Sequence, residues 1–379
     1  MKQYQVSLVR GHKALPFSQL RASTTTLRVP QELFRPQNIK IGLRNSVAQL
    51  LFVAGLTVPG RRSRGHLSIV TFHRVLPEAE RRAYPYPGLV VTPQELDELL
   101  TYFKHHFDCG TLESQHERYL SREGSARPLL ALTFDDAQYD NHRYARPALA
   151  RHNLKASFFV PVAVVERKEL LWHDRLGFAI LALLEQGRAG KELLMKVLFA
   201  AGLSGNRPGS LVRNIVQQAK GLALEARLRL VDALAETSGM AAPPEFARLM
   251  TLEELAGLAA DGHEIGSHSM THCLMPECDD HALAYELAES RRVLQMRLAR
   301  PIESFCYPNG NSDARTANAV AKAGYRRAVT TTWGQNGPDT DCFQLSRCNM
   351  DAERVRDSNW KLVPALVAFR MSGLYPGLG

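Results

Sequence analysis

From residue 67 onward, short apolar runs alternate along the chain with segments of helical hydrophobic periodicity. This alternation is typical of βα units, whose parallel strands form a sheet or a barrel with helices packed on the outside. Two helical segments begin with a capping box, at Thr92 and at Thr251, and a third, 313–323, ends at Gly324. Seven apolar runs are predicted to be strands: 67–73, 129–134, 155–160, 263–267, 303–307, 326–330 and 343–347.

One connection in this alternation is far too long for a loop. The 86 residues of 165–250 contain amphipathic helical patterns and no strand pattern. Because connections in compact domains are usually about 4–6 residues long, we predict a helical insertion within the α/β domain. Its predicted helices are 176–184, 192–199, 211–218 and 222–234.

The positive charge of the chain is concentrated near its start. Residues 1–66 hold eleven Lys and Arg and one acid, Glu32, so this arm carries +10, and the remaining residues carry −1 of the net +9. The body of the protein is therefore close to neutral, which excludes a nucleic-acid-binding body and predicts no nucleic-acid partner. We expect a basic arm at 1–66 and a domain at 67–379 that the insertion 165–250 interrupts.

The basic arm also bears on location. Arg10, His12 and Lys13 interrupt any apolar core of signal-peptide length in the first twenty residues. The longest apolar run, 47–58, is too short to span a bilayer, and it either docks as a helix or lies on a membrane surface beside Arg61. A transit peptide and an early start codon are alternative interpretations of the arm. A cytoplasmic or membrane-peripheral location is favoured, and the sequence predicts no oligomeric state.

The predicted strand 129–134 runs directly into two acids, Asp135 and Asp136. In a parallel barrel the carboxyl ends of the strands face the active site. Adjacent buried carboxylates repel each other and lose solvation, so they need a cation or a shared proton there. Taken alone, an Asp-Asp pair is also typical of a solvated turn.

A second predicted strand, 263–267, is followed by His268 and His272. If this segment forms a helical turn, the i, i+4 spacing puts both imidazoles on one face, where they can share a divalent ion. The zincin motif H-E-x-x-H is absent, because the histidine after His263-Glu264 comes one position too late. One carboxylate with two histidines suits zinc-dependent hydrolysis or iron-dependent oxygenation. The second carboxylate favours hydrolysis, since attack by water needs a base.

The stretches T-F-D-D at 133–136, H-S-x-x-H at 268–272 and F-C-Y-P-N-G at 305–310 resemble the polysaccharide deacetylases with a NodB-type domain, carbohydrate esterase family 4. The resemblance covers about 67–164 and 251–350 and leaves the arm and the insertion unmatched. It implies a distorted (β/α)7 barrel that removes acetyl groups from N-acetylhexosamine units of a glycan. It also implies one divalent ion, with zinc expected and cobalt or nickel as alternatives.

The resemblance further implies the roles of individual residues. Asp135 is similar to the catalytic base of the family, and Asp136, His268 and His272 are similar to its metal ligands. The backbone N–H of Tyr307 is the expected partner of the metal in holding the oxyanion.

The sequence departs from the commonest family pattern at two positions. That pattern supplies the catalytic acid as a histidine near the C-terminal end of the domain, but no histidine follows His281. We expect His73 to be the acid instead, because its place at the end of the first predicted strand resembles the permuted branch that acts on exopolysaccharides such as poly-N-acetylglucosamine. Cys306 stands where many members carry an arginine that pairs with the base, and Arg347 and Arg74 are the candidates to replace it.

The sequence therefore predicts a metal-dependent hydrolase that removes N-acetyl groups from an amino-sugar polysaccharide or its lipid-linked precursor, with an N-acetylated glycan as its partner. Two alternatives stay open. One is an O-acetyl ester or other amide hydrolase with the same metal centre, and the other is a catalytically degenerate member that binds glycan without turning it over.

Overall fold

The structure is a computed structural model that describes residues 38–57, 65–122, 125–205, 210–240, 242–350, 352–357 and 359–374. Residues 1–37 and 58–64 of the predicted basic arm lie outside the described residues. The strands are β1 Leu67–Phe72, β2 Arg74–Val75, β3 Val90–Val91, β4 Asp108–Gly110, β5 Leu129–Phe134, β6 Ser157–Val160, β7 Glu264–Ser267, β8 Ser304–Cys306, β9 Arg327–Trp333 and β10 Leu345–Asn349. The helices are α1 Asn38–Val53, α2 Glu78–Ala83, α3 Pro93–His106, α4 Leu112–Leu120, α5 Arg146–His152, α6 Val162–Arg167, α7 Trp172–Glu185, α8 Gly187–Ala200, α9 Leu211–Lys220, α10 Leu224–Ser238, α11 Leu252–Ala260, α12 Asp280–Leu298, α13 Ala314–Lys322, α14 Ala352–Val355 and α15 Pro364–Met371.

Seven parallel strands close into a barrel in the order β1, β10, β9, β8, β7, β6 and β5, and β5 pairs back to β1. They are the seven strands predicted from the sequence, and the (β/α)7 fold class is confirmed. β1 and β5 are buried at every position, because both faces of a barrel strand are covered, and this explains their unbroken apolar runs. Outside the ring, β4 pairs with β5, and β2 pairs with β3.

The helices around the barrel begin where the capping signals predict. Thr92 accepts a hydrogen bond from the N–H of Glu95 at the start of α3, and Thr251 accepts one from the N–H of Glu254 at the start of α11. Replacing such a cap by Ala typically costs about 1 kcal/mol. The apolar faces of these helices close the core between the barrel and its helical layer.

The register of the strands decides which residues meet at the carboxyl edge of the barrel. Phe72 at the end of β1 pairs with Phe134 at the end of β5, so the residues that follow, His73 and Asp135, emerge side by side. In β7 and β8, Ser267 pairs with Phe305. The residue that follows Ser267 therefore lies level with the end of β8.

The long segment between β6 and β7 is helical. Between α6 and α11, its described residues form α7 to α10 and contain no strand beyond a single bridge from Leu249 to Gln138. These helices share a core of their own around Ile180, Leu198 and Ile215, separate from the core of the barrel. The predicted helices of the segment are all present, and the boundaries 165–250 stay a prediction.

The helix α1 packs on α15 near the C-terminal end of the described chain. Ala48 is buried against Leu366 and Phe369, as the docking alternative predicts. The opposite side of the helix is apolar and open, with Leu50 71% and Val53 75% exposed. None of the described helices combines the length and the apolar character that a membrane span requires.

Candidate metal centre and active site

The carboxyl edge of the barrel gathers the predicted metal ligands. Asp136 follows β5, and His268 and His272 follow β7. One carboxylate oxygen of Asp136, Oδ1, lies 3.4 Å from His268 Nε2 and 3.2 Å from His272 Nε2. All three side chains are buried. These three ligand atoms lie within 4.8 Å of one another, so the three residues would hold one divalent ion between them.

The orientation of His268 fits a metal ligand. Its Nδ1 lies 2.7 Å from the carbonyl oxygen of Cys306, so the hydrogen-bond network places a proton on Nδ1, and Nε2, which faces Asp136, is the atom that would bind a metal. Burial would lower the pKa of His268, yet Cys306, Asp136 and Asp135 raise it well above its usual value. The carboxylates at this edge therefore attract a cation.

The predicted helical turn at the two histidines is wrong. The residues after β7 form a loop, in which Ser269 has φ +65° and His272 has φ +58°. Glu286 of α12, a buried acid that no motif marks, accepts hydrogen bonds from the N–H groups of Met270 and Thr271 at 2.8 and 3.0 Å. These bonds hold the loop in a conformation that non-glycine residues seldom adopt.

Asp136 and His272, the other two candidate ligands, are also buried and have positive φ angles. Asp136, the second residue after β5, has φ +73°. Burial would raise its pKa, but the hydrogen bonds of His268 and His272 hold it well below its usual value. Burial lowers the pKa of His272 to about 4, so its ring is neutral, which is the form that binds metal. Its Nδ1 is buried without a hydrogen-bond partner among the described residues.

Asp135, the predicted base, forms a bidentate ion pair with an arginine. Arg347 of β10 donates from Nη1 to Oδ1 and from Nη2 to Oδ2 of Asp135, both at 2.8 Å. The guanidinium is fixed in turn, since its Nε donates to the carbonyl of Thr330 at 2.7 Å. Burial would raise the pKa of Asp135, but Arg347 brings it below its usual value, so the carboxylate is ionised.

Of the two candidates to replace the family arginine, only Arg347 contacts Asp135. Its Nη2 also lies 3.3 Å from Cys306 Sγ, the residue at the motif position. Arg74 is turned away and pairs with Asp140 at 2.6 Å. The suggestion that Arg74 replaces the motif arginine is therefore wrong, because Asp140 occupies its guanidinium.

A second group of ligand-type atoms, Asp135, His268 and Cys306, also lies within 4.8 Å of one another. This group fits a cation poorly. The guanidinium of Arg347 already contacts both the carboxylate of Asp135 and the sulfur of Cys306, so a metal ion there would meet a fixed positive charge.

His73 lies at the open side of the site. Its Nε2 is 3.9 Å from Asp135 Oδ2, and its side chain is 17% exposed, whereas those of Asp135, Asp136, His268 and His272 are 9% exposed or less. His73 is therefore the most accessible to solvent of these five side chains.

The assignment of the Tyr307 N–H as an oxyanion donor is wrong. That N–H donates to the carbonyl of Val329 in the barrel at 3.1 Å, because β8 pairs with β9 in this register. The Tyr307 hydroxyl donates to the carbonyl of Phe343 at 2.9 Å. After Pro308, the next N–H belongs to Asn309, which has φ +59° and whose N–H meets no acceptor among the described residues.

Among the described residues of the helical segment, His173 and Lys220 contact the site or its loops, and neither belongs to a sequence motif. His173 of α7 lies against His272, with ring centroids 5.6 Å apart, and burial lowers its pKa to about 4. Lys220, the last residue of α9, donates from Nζ to Oδ1 of Asn309. The only signal for His173 is its place beside Trp172 at the start of a helix, and Lys220 carries none.

The fold and the ligand set define a class of protein: a (β/α)7 barrel with an Asp-His-His triad at its carboxyl edge. A family model described as polysaccharide deacetylase matches residues 230–328. The matched residues include the H-S-x-x-H and F-C-Y-P-N-G stretches, on which the resemblance to this family rests.

Individual relatives agree with this class. The putative polysaccharide deacetylase YxkH of Bacillus subtilis (strain 168) is 26% identical over 98 residues, which are 26% of this chain and 35% of YxkH. The chain thus matches about a third of the length of that curated relative.

Two solved structures share the fold. The deacetylase PplD of Streptococcus pyogenes, in complex with acetate, superposes with a TM-score of 0.52 and 16% identity, covering 78% of this chain and 95% of PplD. IcaB from Ammonifex degensii superposes with a TM-score of 0.50 and 16% identity, covering 81% of this chain and 97% of IcaB.

Proposed function

We propose that this protein is a metal-dependent hydrolase that removes N-acetyl groups from an amino-sugar polysaccharide or its lipid-linked precursor. The observation that carries the proposal is the convergence of Asp136, His268 and His272 next to an ionised, arginine-bound Asp135. The names of the matched relatives, which include a polysaccharide deacetylase and a deacetylase in complex with acetate, support the reaction class.

The donor set supports one divalent ion. Asp136, His268 and His272 would hold it, and zinc is expected because an oxygen with two imidazole nitrogens is among its ordinary ligand sets, with cobalt and nickel as alternatives. Such an ion supplies a Lewis acid that polarises the acetamide carbonyl and lowers the pKa of water toward neutrality.

The remaining groups move protons and hold charge. Asp135 accepts the proton of the attacking water, and Arg347 keeps its carboxylate ionised and fixed in orientation. His73 donates a proton to the sugar nitrogen as the C–N bond breaks, since the amine is a poor leaving group unless protonated. The N–H of Asn309 replaces that of Tyr307 as the candidate donor to the oxyanion.

The position of Arg347 favours turnover over mere glycan binding. The non-catalytic alternative is motivated by the missing motif arginine at Cys306. Because Arg347 delivers a guanidinium to both oxygens of Asp135 from another strand, the base has the partner that the motif lacks.

Acetate release from N-acetylglucosamine oligomers tests the proposal. We expect release by the zinc-loaded wild type and loss of at least about 10³-fold in Asp135→Asn, because the amide cannot accept the proton. Asp232→Asn, which alters an exposed ion pair on α10, is the matched control and should stay active. Full activity in Asp135→Asn would contradict the assignment of the base.

We also propose that α1 attaches the protein to an anionic membrane surface. Leu50 and Val53 extend from α1 into solvent, while the +10 charge of residues 1–66 complements acidic headgroups.

Co-sedimentation with phosphatidylglycerol vesicles tests this proposal. A Leu50→Glu/Val53→Glu variant should bind at least about tenfold more weakly, as the burial of two such side chains is worth several kcal/mol. Leu120→Glu on α4, also an exposed leucine, should bind normally. Wild-type protein that stays in the supernatant would contradict the attachment.

A further inference from the structure

We propose that Lys220 binds an anionic group of the substrate beside the metal centre, so that the preferred substrate is an acetamido sugar carrying a phosphoryl or carboxylate group close to the acetamide. The inference rests on the proposed function and narrows its substrate class. It concerns a residue of the helical segment, outside the motifs that mark the rest of the site.

Lys220 is positioned at the site by the helical segment. It ends α9, its side chain is half-buried, and its ammonium donates to Oδ1 of Asn309 in the loop after β8. That loop follows Cys306, whose carbonyl orients His268. The same helical segment places the neutral ring of His173 against His272. Lys220 therefore faces the reaction centre across the loop that carries the candidate oxyanion donor.

The electrostatics agree with this placement. Burial lowers the pKa of Lys220, and Arg227 and Arg213 lower it further, while Asp136 is the acid that raises it. The carboxylate of a candidate metal ligand is thus close enough to act on the ammonium.

The charge of Lys220 has no carboxylate partner among the described residues within ion-pair distance. The neighbouring cations are matched instead: Arg227 pairs with Glu277 at 2.9 Å, Arg74 with Asp140 and Arg347 with Asp135. Asp174, the other buried acid near His173, accepts the hydroxyl of Tyr84.

A divalent ion on Asp136 would more than balance its charge, which leaves Lys220 as an unmatched cation at the mouth of the site. An unmatched, partly desolvated cation favours an anionic ligand. An ammonium on a flexible stem binds phosphoryl and carboxylate oxygens as a point charge. In a 2-acetamido sugar the ring carbon that carries the acetamido nitrogen is bonded to the anomeric carbon, so an anomeric phosphoryl group lies near the reacting carbonyl. A carboxylate on the same or the adjoining sugar offers the same chemistry.

Calorimetric titration of the zinc-loaded protein tests the inference, with N-acetylglucosamine 1-phosphate, a 2-acetamido-2-deoxyuronic acid and neutral N-acetylglucosamine as probes. We expect the wild type to bind at least one anionic sugar about tenfold or more tightly than the neutral one. A hydrogen bond to a charged group typically contributes about this much to affinity. Whichever anion shows this preference identifies its source. Lys220→Gln should lose the preference, and Lys220→Arg should restore most of it. Lys196→Gln on α8, an exposed lysine of the same helical segment, is the matched control and should behave as the wild type.

Kinetics separate binding from indirect effects. In acetate release, Lys220→Gln should raise KM for the anionic sugar about tenfold and change kcat little. Equal losses on neutral and anionic sugars would overturn the inference, because Lys220 would then act only by positioning Asn309. Equal binding of all probes by the wild type would overturn it as well. Lys220-dependent binding without any acetate release would support the inference while contradicting the proposed hydrolase.

Discussion

At the scale of the residue, the pair of Asp135 and Arg347 is the most tightly connected feature of the candidate site. Both carboxylate oxygens accept from one guanidinium, and that guanidinium also contacts the hydroxyl of Thr71 at 3.0 Å. A bidentate pair fixes orientation as well as charge. Asp135 is therefore held ionised and in one rotamer before any substrate arrives.

Removal of Arg347 should damage both stability and activity. In Arg347→Gln the carboxylate of Asp135 stays buried without its cation, which typically costs about 3–5 kcal/mol in the free energy of unfolding. We expect acetate release to fall by at least about 10²-fold, with bound metal retained. Urea denaturation and acetate assays check this, with Arg326→Gln, a largely exposed arginine beside Glu303, as the control. A stable and active Arg347→Gln would show that Asp135 needs no cation.

The role of His73 is separable by leaving group. Only the amine of an amide needs protonation to leave, so His73→Ala should reduce amide hydrolysis by about 10²–10⁴-fold and hydrolysis of an aryl acetate ester far less. Parallel assays on N-acetylglucosamine oligomers and on an aryl acetate measure the ratio. Equal losses on both substrates would argue against His73 as the acid.

At the scale of the element, buried charge connects β2 to the region after β5. Arg74 pairs with Asp140 at 2.6 Å, and the other carboxylate oxygen of Asp140 accepts the N–H of Val75 at 2.7 Å. The guanidinium also lies over the ring of Tyr84 at 4.4 Å. The contacts of Arg74 are therefore structural.

We predict that Arg74→Met loses stability without altering the chemistry of the folded fraction. An unpaired Asp140 in the interior should cost about 3–5 kcal/mol of unfolding free energy. Arg82→Met on α2 removes an exposed pair with Glu78 and should cost less than about 1 kcal/mol. Denaturant titration compares the two variants. A similar small loss in both would contradict the assigned role of Arg74.

The start of β7 carries a buried histidine that makes stability depend on pH. His263 accepts the N–H of Ala156 at 3.2 Å through Nδ1, and burial with the nearby charge of Lys155 lowers its pKa to about 4. In the unfolded chain a histidine titrates at about 6.5. Between these values the unfolded chain binds the extra proton, so stability is complete above about pH 6.5 and falls as the pH drops toward 4.

When the pH is lowered from 6.5 to 5.0, we expect the free energy of unfolding to fall in the wild type and to fall less in His263→Asn. The two losses should differ by up to about 2 kcal/mol. Urea denaturation at both pH values measures the difference. His105→Asn, an exposed histidine on α3, should follow the wild type. An unchanged pH dependence in His263→Asn would contradict the buried neutral imidazole.

At the scale of the whole molecule, the sequence predicts the barrel because its strands are buried on both faces and therefore have apolar runs. The run 129–134 is β5 to the residue. The strand β4, Asp108–Gly110, was not predicted, since three residues with one acid carry no apolar period.

Only part of the candidate site can be predicted from the sequence, because several of its features depend on which strands become neighbours. Asp135, Asp136, His268 and His272 follow predicted strand ends and meet there. By contrast, the Tyr307 N–H donates to the carbonyl of Val329 because of the register of β8 and β9, and no local sequence pattern predicts that register. Glu286 and Lys220 enter from distant helices without a motif, so only the folded chain reveals them.

Metal analysis by mass spectrometry tests whether the carboxyl edge of the barrel holds one divalent ion. We predict about one zinc or similar ion per chain in the wild type, its loss in His268→Ala, and its retention in Asp135→Asn and Cys306→Ser. His142→Ala, which alters a half-buried histidine outside the triad, should also retain it. A wild type that stays metal-free after incubation with zinc, cobalt and nickel would contradict the proposed metal centre.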